Sequence, residues 1–237
     1  MTILNPPSMN FQPTDPILQS KQESLDIQDL VGSWHIHWKV KDITLFSTVY
    51  TRIDQVFVLW GIIAIAVFSV AQFLPVSWIT QAILWTMLTL LGAIGMVRLT
   101  CFWAQVERLM WVVYAWAVLM VIGVVLTNLG IWFNLGSLLI NLCPLWLGLS
   151  ALGYVITGLG IQSRALLLTG AIHVISIWLL PYVESYQYFS TGSVIGISLI
   201  LLAQVQWDMR PPIEYSLLTE EQKVFNREQH QLRQTMR

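Results

Sequence analysis

His173 is the first candidate for chemistry, because it is the one Asp, Glu, Lys, Arg or His residue deep inside a long apolar stretch. At helical spacing it shares a face with Thr169, Ser176 and Ala165. A buried imidazole can ligate the metal of a haem or a chlorophyll, or it can be a neutral hydrogen-bonding group. A haem with two histidine ligands would need a second intramembrane histidine, which the sequence lacks. We therefore expect an imidazole that bonds across a helix interface, with cofactor binding by His173 as the alternative.

Two further histidines, His35 and His37, lie two residues apart and would project to the same side of an extended strand. A metal site needs three or four ligands, drawn from His, Cys and carboxylates. No neighbouring residues in the sequence complete such a set. We therefore predict surface histidines and no metal site.

The charged residues, 12 Lys and Arg and 13 Asp and Glu, fall outside the apolar stretches or at their ends. Ion-coupled pumps, proton relays and intramembrane proteases need such groups inside the bilayer. The sequence also has no Cys-x-x-Cys motif of the kind that redox proteins use. These patterns predict a protein that is not an enzyme.

The composition points to a membrane protein. Of the 237 residues, 56% are hydrophobic and 11% are charged, whereas soluble domains carry about 25% charged residues. The mean hydropathy of +0.65 agrees with this. A net charge of −1 provides no electrostatic field for nucleic acid. The expected partners are therefore the lipid bilayer and another membrane protein or a second copy of the chain, and no nucleic acid.

Six apolar stretches have the length of about 20 residues that crosses a bilayer as a helix. They comprise residues 55–74, 78–97, 110–133, 138–161, 165–183 and 188–207. All 12 Lys and Arg lie before the first stretch, after the last, or in the second and fourth connections. The positive-inside rule then places both termini on the cytoplasmic side. The sequence thus predicts an all-α integral membrane protein with a bundle of six transmembrane helices.

The same pattern divides the chain into three parts and suggests a location. Residues 1–54 form a cytoplasmic tail, residues 55–207 the transmembrane domain, and residues 208–237 a cytoplasmic helical tail. We expect a bacterial plasma membrane, with a thylakoid or organellar inner membrane as the alternative.

The N-terminal tail contains a segment of strict alternation around residues 34–41. Trp34 and Trp38 fall on one face, while Lys39 and Lys41 fall on the other. Tryptophans beside lysines suit the lipid headgroup layer, so these four residues are predicted to dock on the membrane surface. Pairing with a partner strand is the alternative.

Small residues in the predicted spans form stripes that let helices approach closely. The stripe on the sixth span is Gly192 and Gly196, and the stripe on the fourth span is Ser150, Gly153, Thr157 and Gly160. We expect these residues to pack helices within the bundle, with packing against a partner as the alternative.

Four tryptophans lie unusually deep in the predicted spans, namely Trp85, Trp116, Trp146 and Trp178. They favour either interhelical packing or the wall of a pocket for a hydrophobic ligand or pigment.

Three hypotheses for the function follow. The first is a non-enzymatic scaffold, assembly or regulatory subunit of a larger membrane complex. The second is a channel or facilitator for an uncharged or lipid-like solute. The third is a chlorophyll- or haem-binding protein that uses His173; the first two need no cofactor.

Overall fold

The computed structural model describes residues 16–21, 24–40, 43–210 and 217–235, and long helices make up most of this part of the chain. The N-terminal elements are β1 (Leu18–Gln19), α1 (Ile27–Leu30), β2 (Trp34–Val40) and β3 (Ile43–Tyr50). The bundle comprises α2 (Arg52–Phe73), α3 (Trp78–Val106), α4 (Met110–Trp132), α5 (Gly136–Leu139), α6 (Leu142–Ile161), α7 (Arg164–Leu179) and α8 (Gln187–Gln204). It is followed by β4 (Gln206–Trp207) and α9 (Glu220–Thr235).

Within the described residues, five helical stretches are long and apolar enough to cross a membrane. Four of them are α2, α3, α4 and α6, and the fifth is Arg164–Gln204. This fifth stretch contains α7, a 3-10 segment over Leu180–Tyr186, and α8. Helices of this kind satisfy their backbone hydrogen bonds internally, as a bilayer requires. The chain therefore has the architecture of an α-helical membrane bundle.

Several helix boundaries differ from the sequence-based prediction, among them those of α3 and α6. α3 does not end at Arg98 but continues to Val106, and the exposed Arg98 side chain does not interrupt it. The predicted stretch 138–161 is divided into the short α5 and the longer α6. Pro144 lies in the first turn of α6, where its missing N–H costs no intrahelical hydrogen bond.

Several helices begin at side-chain caps. At the start of α2, the Asp54 amide donates to Thr51 Oγ1 at 3.3 Å, and the Thr51 amide donates to Asp54 Oδ2 at 2.8 Å. Ser77 and Ser163 accept from the first turns of α3 and α7. A capping box forms between Thr219 and Gln222 at the start of the C-terminal helix. Such caps satisfy amide donors that a helix cannot pair itself.

The helices α2 and α8 pack antiparallel along their length. Gly61 lies against Gly196 near the middle of the pair. At one end, Tyr50 Oη donates to Gln204 Oε1 at 2.9 Å. At the other end, Gln72 Nε2 donates to the Ser185 carbonyl at 2.8 Å. These three contacts place the start of α2 beside the end of α8.

The described parts of both tails meet at that same end of the bundle, here called the tail end. The Arg210 amide donates to the carbonyl of Ile161, the last residue of α6, at 2.9 Å. The Ile27 amide in α1 donates to Asn226 Oδ1 in α9 at 2.8 Å. β1 pairs antiparallel with β4, within residues 18–19 and 206–207. The tails are therefore packed onto the bundle and onto each other.

The alternating segment has a partner strand, so the preferred prediction of surface docking without one is wrong. β2 pairs antiparallel with β3, with Trp34 opposite Tyr50 and an irregularity after Trp38. Pairing satisfies the backbone groups that a single strand would leave open. Trp34 is 61% exposed. Lys41 lies outside the described residues, and so do the side chains of Trp38 and Lys39; docking of these residues on lipid stays a prediction.

Candidate functional site

A cavity of about 180 Å³ lies inside the bundle, here called the main cavity. A single water needs about 10–15 Å³ of such space, so this is far more than a packing defect. Its walls come mainly from α2, α3, α4, α6 and α8, and they are overwhelmingly apolar. Six of the 12 tryptophans line it: Trp60, Trp85, Trp103, Trp116, Trp146 and Trp207. The deep tryptophan Trp178 does not, because it is 77% exposed on the outside of the bundle.

Hydrogen bonds between α4 and α6 orient two of these indoles. Trp116 Nε1 donates to Thr157 Oγ1 at 2.9 Å, and Trp146 Nε1 donates to Thr127 Oγ1 at 3.1 Å. Glycines on the facing helix leave room for the rings, since a Cβ at Gly153 would collide with the Trp116 ring. A Cβ at Gly123 would lie 2.7 Å from the Trp146 ring. Each of these two indole rings therefore packs against a glycine of the facing helix.

A few polar groups interrupt the apolar wall. Asn128 Nδ2 donates to Thr86 Oγ1 at 2.9 Å, which joins α4 to α3 beside the cavity. The Tyr154 hydroxyl and the Trp60 indole N–H are buried and have no hydrogen-bond partner among the described residues. Tyr154 is 2% exposed and lines the cavity. A buried polar group without a partner costs about 1–3 kcal/mol of stability.

His173 is fully buried at the α6–α7 interface and is not among the residues that line the main cavity. Its Nδ1 lies 2.8 Å from the carbonyl oxygen of Thr169, one turn earlier in α7. Its ring packs on Tyr154, with ring centroids 4.9 Å apart. The expected hydrogen bond across a helix interface is therefore replaced by one within the same helix. The other ring nitrogen, Nε2, is buried and has no hydrogen-bond partner among the described residues, so cofactor binding by His173 stays a prediction.

The predicted helix-packing residues occupy two different settings. Gly192 and Gly196 lie on α8 against α2, where a Cβ on Gly196 would sit 2.9 Å from the Gly61 carbonyl oxygen. Gly153 and Thr157 face Trp116, as described above, and a Cβ on Gly160 would lie 2.9 Å from the Trp111 ring. Ser150 is 5% exposed and lines the main cavity.

A network of buried polar side chains, here called the tail network, closes the tail end of the bundle. Gln28 Nε2 donates to Glu107 Oε1 at 3.1 Å, and Arg233 Nη2 donates to Asp26 Oδ1 at 2.7 Å. Trp103 Nε1, from the wall of the main cavity, donates to Asp29 Oδ1 at 2.9 Å. The tail network therefore links α1 and α9 to the end of α3.

Two carboxyl groups of this network have raised pKa values. Burial raises the pKa of Asp29 to about 7, and the nearby carboxylate of Asp26 adds to the effect, although the Trp103 hydrogen bond opposes it. Burial also raises the pKa of Glu107, against the hydrogen bond from Gln28 and the charge of Arg210. At both carboxyl groups, the neighbouring hydrogen-bond donors and positive charges offset only part of the cost of burying the ionised form.

The pKa of Asp208 is lowered, in contrast to those of Asp29 and Glu107. Burial alone would raise its pKa, but hydrogen bonds from the Arg164 side chain, the Ala165 and Arg164 amides and Ser163 hold that pKa below its usual value. The Arg164 Nε–Asp208 Oδ2 distance is 2.7 Å. Asp208 thus caps the N-terminus of α7 from a distant part of the chain, where a helix favours negative charge.

A second, smaller cavity of about 80 Å³ adjoins the main one at the tail end, here called the tail cavity. Ile53, Trp103 and Trp207 line both cavities. The tail cavity is more polar, and its lining includes Lys21, Asp29 and Asp54. Lys21 Nζ donates to Asp54 Oδ2 at 2.6 Å and lies 4.5 Å from the centre of the Tyr50 ring.

Sequence reasoning identifies the deep indoles but not the tail network or the tail cavity. Asp29, Asp54 and Glu107 look like ordinary charges of the tails and loops in the sequence. Their burial depends on contacts such as Gln28–Glu107 and Lys21–Asp54, between residues far apart in the chain. Local spacing therefore contains no signal for them.

No protein-family model, no curated protein and no solved structure matches this chain.

Proposed function

We propose that this is a non-enzymatic integral membrane protein that binds an uncharged or largely apolar, lipid-like molecule within its helix bundle. The observation that carries the proposal is the main cavity, whose wall combines six tryptophans with a few polar side chains such as Asn128 and Thr86. Binding sites for small molecules typically join such apolar walls to a few polar groups that fix orientation. A facilitator for the same class of solute would use this cavity as its binding step.

The proposed topology is six spans with both termini on the cytoplasmic side. Contacts at opposite ends of the α2–α8 pair support an even number of crossings, because Tyr50 meets Gln204 and Gln72 meets Ser185. The distribution of the Lys and Arg residues supports the cytoplasmic orientation. We propose a bacterial plasma membrane, with a thylakoid or organellar inner membrane as the alternative. Labelling of single cysteines introduced at Ser20 and Glu184 should place these positions on opposite sides of the membrane.

Binding can be tested with N-phenyl-1-naphthylamine, a neutral apolar fluorophore that accepts excitation energy from tryptophan. The protein is reconstituted in lipid nanodiscs, and transfer from tryptophan is followed as the fluorophore is added. Because half of the tryptophans line the main cavity, a bound fluorophore should give strong, saturable transfer. Transfer that rises linearly with the fluorophore, as for partition into lipid, would refute the proposal.

Two variants on α6 provide a matched control. Ser150→Phe fills the main cavity, because Ser150 is 5% exposed and lines it. Leu152→Phe adds an aromatic ring to the same helix at a position that is 49% exposed. We expect Ser150→Phe to abolish saturable transfer and Leu152→Phe to retain it. Thr89→Leu, on α3, adds a smaller side chain to the wall of the same cavity. It replaces Ser150→Phe in the test if that variant does not fold.

A scaffold or assembly role in a membrane complex is the second candidate, and α9 carries the observation that favours it. Asn226 and Arg233 hold one side of α9 against the N-terminal segment. Val224 and Leu232 are 44% and 45% exposed. Exposed apolar residues on a docked helix suit a protein partner. Purification in mild detergent should then recover a stoichiometric membrane protein, which is lost with the double variant Val224→Ser and Leu232→Ser.

A further inference from the structure

The main cavity and the tail cavity together have the layout of a site for an amphiphile. The main cavity is apolar, whereas the tail cavity contains Lys21, Asp29 and Asp54. Ile53, Trp103 and Trp207 belong to both linings, so the two spaces lie next to each other at these side chains. A molecule with an apolar chain and a small polar head would fit these cavities in one orientation, with its chain in the main cavity and its head in the tail cavity.

The charges at the tail cavity indicate the sign of that head. Of its three charged lining residues, Lys21 and Asp54 neutralise each other at 2.6 Å. Asp29 is left, and among the described residues the only side chain that donates to its carboxylate is Trp103. The neighbouring Arg233 is occupied by Asp26 at 2.7 Å. The tail cavity therefore has an excess of one negative charge when Asp29 is ionised.

Aromatic rings beside that carboxylate point to the same chemistry. Trp103 and Trp207 line the tail cavity together with Asp29, and indole faces attract ammonium groups. An ammonium head would also favour the charged form of Asp29, whose pKa is otherwise raised by burial. A carboxylate or phosphate head would instead meet the excess negative charge of Asp29.

Building on the proposed function, we propose that the ligand is a single-chain amphiphile with an ammonium head. Its chain occupies the main cavity between the tryptophans, and its head lies in the tail cavity beside Asp29. We assign a single chain to the main cavity of about 180 Å³, and the two-chain lipids of the bilayer are an outcome of the test below.

A displacement experiment with three matched probes tests the head. Dodecylamine, dodecanol and dodecanoate share one chain and differ only in the head. Each is added to protein in nanodiscs that already holds N-phenyl-1-naphthylamine, and the loss of energy transfer from tryptophan is recorded. We expect dodecylamine to displace the fluorophore at a concentration about tenfold lower than dodecanol, because a cation gains both the carboxylate and the indole faces. Dodecanoate should be the weakest competitor.

Asp29→Asn assigns the preference to the proposed site. This variant should bring dodecylamine to the level of dodecanol when both are compared against the fluorophore bound to the same variant. The control is Glu220→Gln, which removes a carboxylate from the exposed side of α9 and should leave the preference for the amine intact.

The outcomes separate this inference from the proposed function. Absence of saturable fluorophore binding would refute the proposed function, and with it the ligand class. Saturable binding with equal displacement by all three probes would overturn the ammonium head alone. A preference for the amine that survives Asp29→Asn would overturn the placement of the head at Asp29. Displacement by a two-chain phosphatidylethanolamine as strong as that by dodecylamine would overturn the single-chain assignment.

Discussion

The bundle contains two interfaces that use glycine in different ways. Between α2 and α8, glycine lets one backbone approach another, since a Cβ on Gly61 would lie 3.1 Å from the Gly196 carbonyl oxygen. Between α4 and α6, glycine receives an indole, as Gly153 does for Trp116. The same small residue therefore builds a close helix pair in one region and the wall of a cavity in the other.

This difference separates a rigid region from an adaptable one. A backbone cannot move without shifting its whole helix, so the α2–α8 pair is fixed in spacing. An indole beside a cavity has free space on one side and can change its rotamer at lower cost. A ligand site in this protein is therefore expected at the indole-lined interface, while the glycine-paired helices hold that interface in place.

The largest expected effect comes from adding one methyl group to the close pair. Gly196→Ala would bring a Cβ against the Ile65 side chain and within 2.9 Å of the Gly61 carbonyl oxygen. We expect a loss of about 1–3 kcal/mol of stability, the usual cost of overpacking. Gly148→Ala is the matched control, because its Cβ would meet only Ile177 at 3.9 Å. Thermal unfolding in detergent compares the two, and equal melting temperatures would contradict the close contact.

Gly153→Ala applies the same change to the adaptable region. Its Cβ would collide with the Trp116 ring, but that ring borders the main cavity and can turn into it. We expect a smaller loss, about 1 kcal/mol or less, together with weaker binding of N-phenyl-1-naphthylamine. If Gly153→Ala destabilises the protein as much as Gly196→Ala, the distinction between the two interfaces does not hold.

Thr157→Val sharpens the comparison within the indole-lined interface. It removes the hydroxyl that accepts from Trp116 Nε1 at 2.9 Å and keeps the side-chain shape. Hydrogen bonds between membrane helices average about 0.6 kcal/mol, so stability should change little. The tryptophan emission should shift, because a cavity-lining indole loses its partner. Thr169→Val, which removes a hydroxyl bonded to the Ala165 carbonyl within α7, is the control that should leave the emission unchanged.

The expected effect of pH is confined to the docking of the N-terminal segment and leaves the bundle itself unchanged. The pKa of Asp29 is raised to about 7 in the folded protein, from an ordinary value of 3.8. The folded state therefore binds the proton more tightly, so its stability falls as the pH rises from about 4 to about 7. Hydrogen exchange of α1 should become faster over this range, beyond the intrinsic pH dependence of exchange, while the protection of α2 and α8 stays constant. Asp29→Asn should weaken the pH dependence, while Glu107, whose pKa burial also raises, keeps a part of it. An unchanged pH dependence in that variant would exclude Asp29 as the cause.

The sequence predicts the apolar helices well because each depends on a local run of residues. The predicted end of α3 at Arg98 is wrong, because a single charged residue indicates the edge of the apolar layer and does not indicate where a helix ends. The sequence predicts the strand at Trp34–Val40 but not its partner, because pairing depends on a second segment. The deep indoles are recognisable, whereas the cavity they line depends on how α4 and α6 pack. Asp29 is not recognisable as a site residue, because its burial depends on Trp103, far away in the chain.

The pairing of β1 with β4 has a consequence for biogenesis. Leu18 lies opposite Trp207, so this contact cannot form until nearly the whole chain has been translated and α8 is in place. Contacts between residues so far apart in sequence form late, because the loop between them must be closed first. The N-terminal segment is therefore expected to dock on the bundle only after α8 and β4 have been synthesised. Its protection from a protease added during translation would mark the moment at which insertion of the chain is complete.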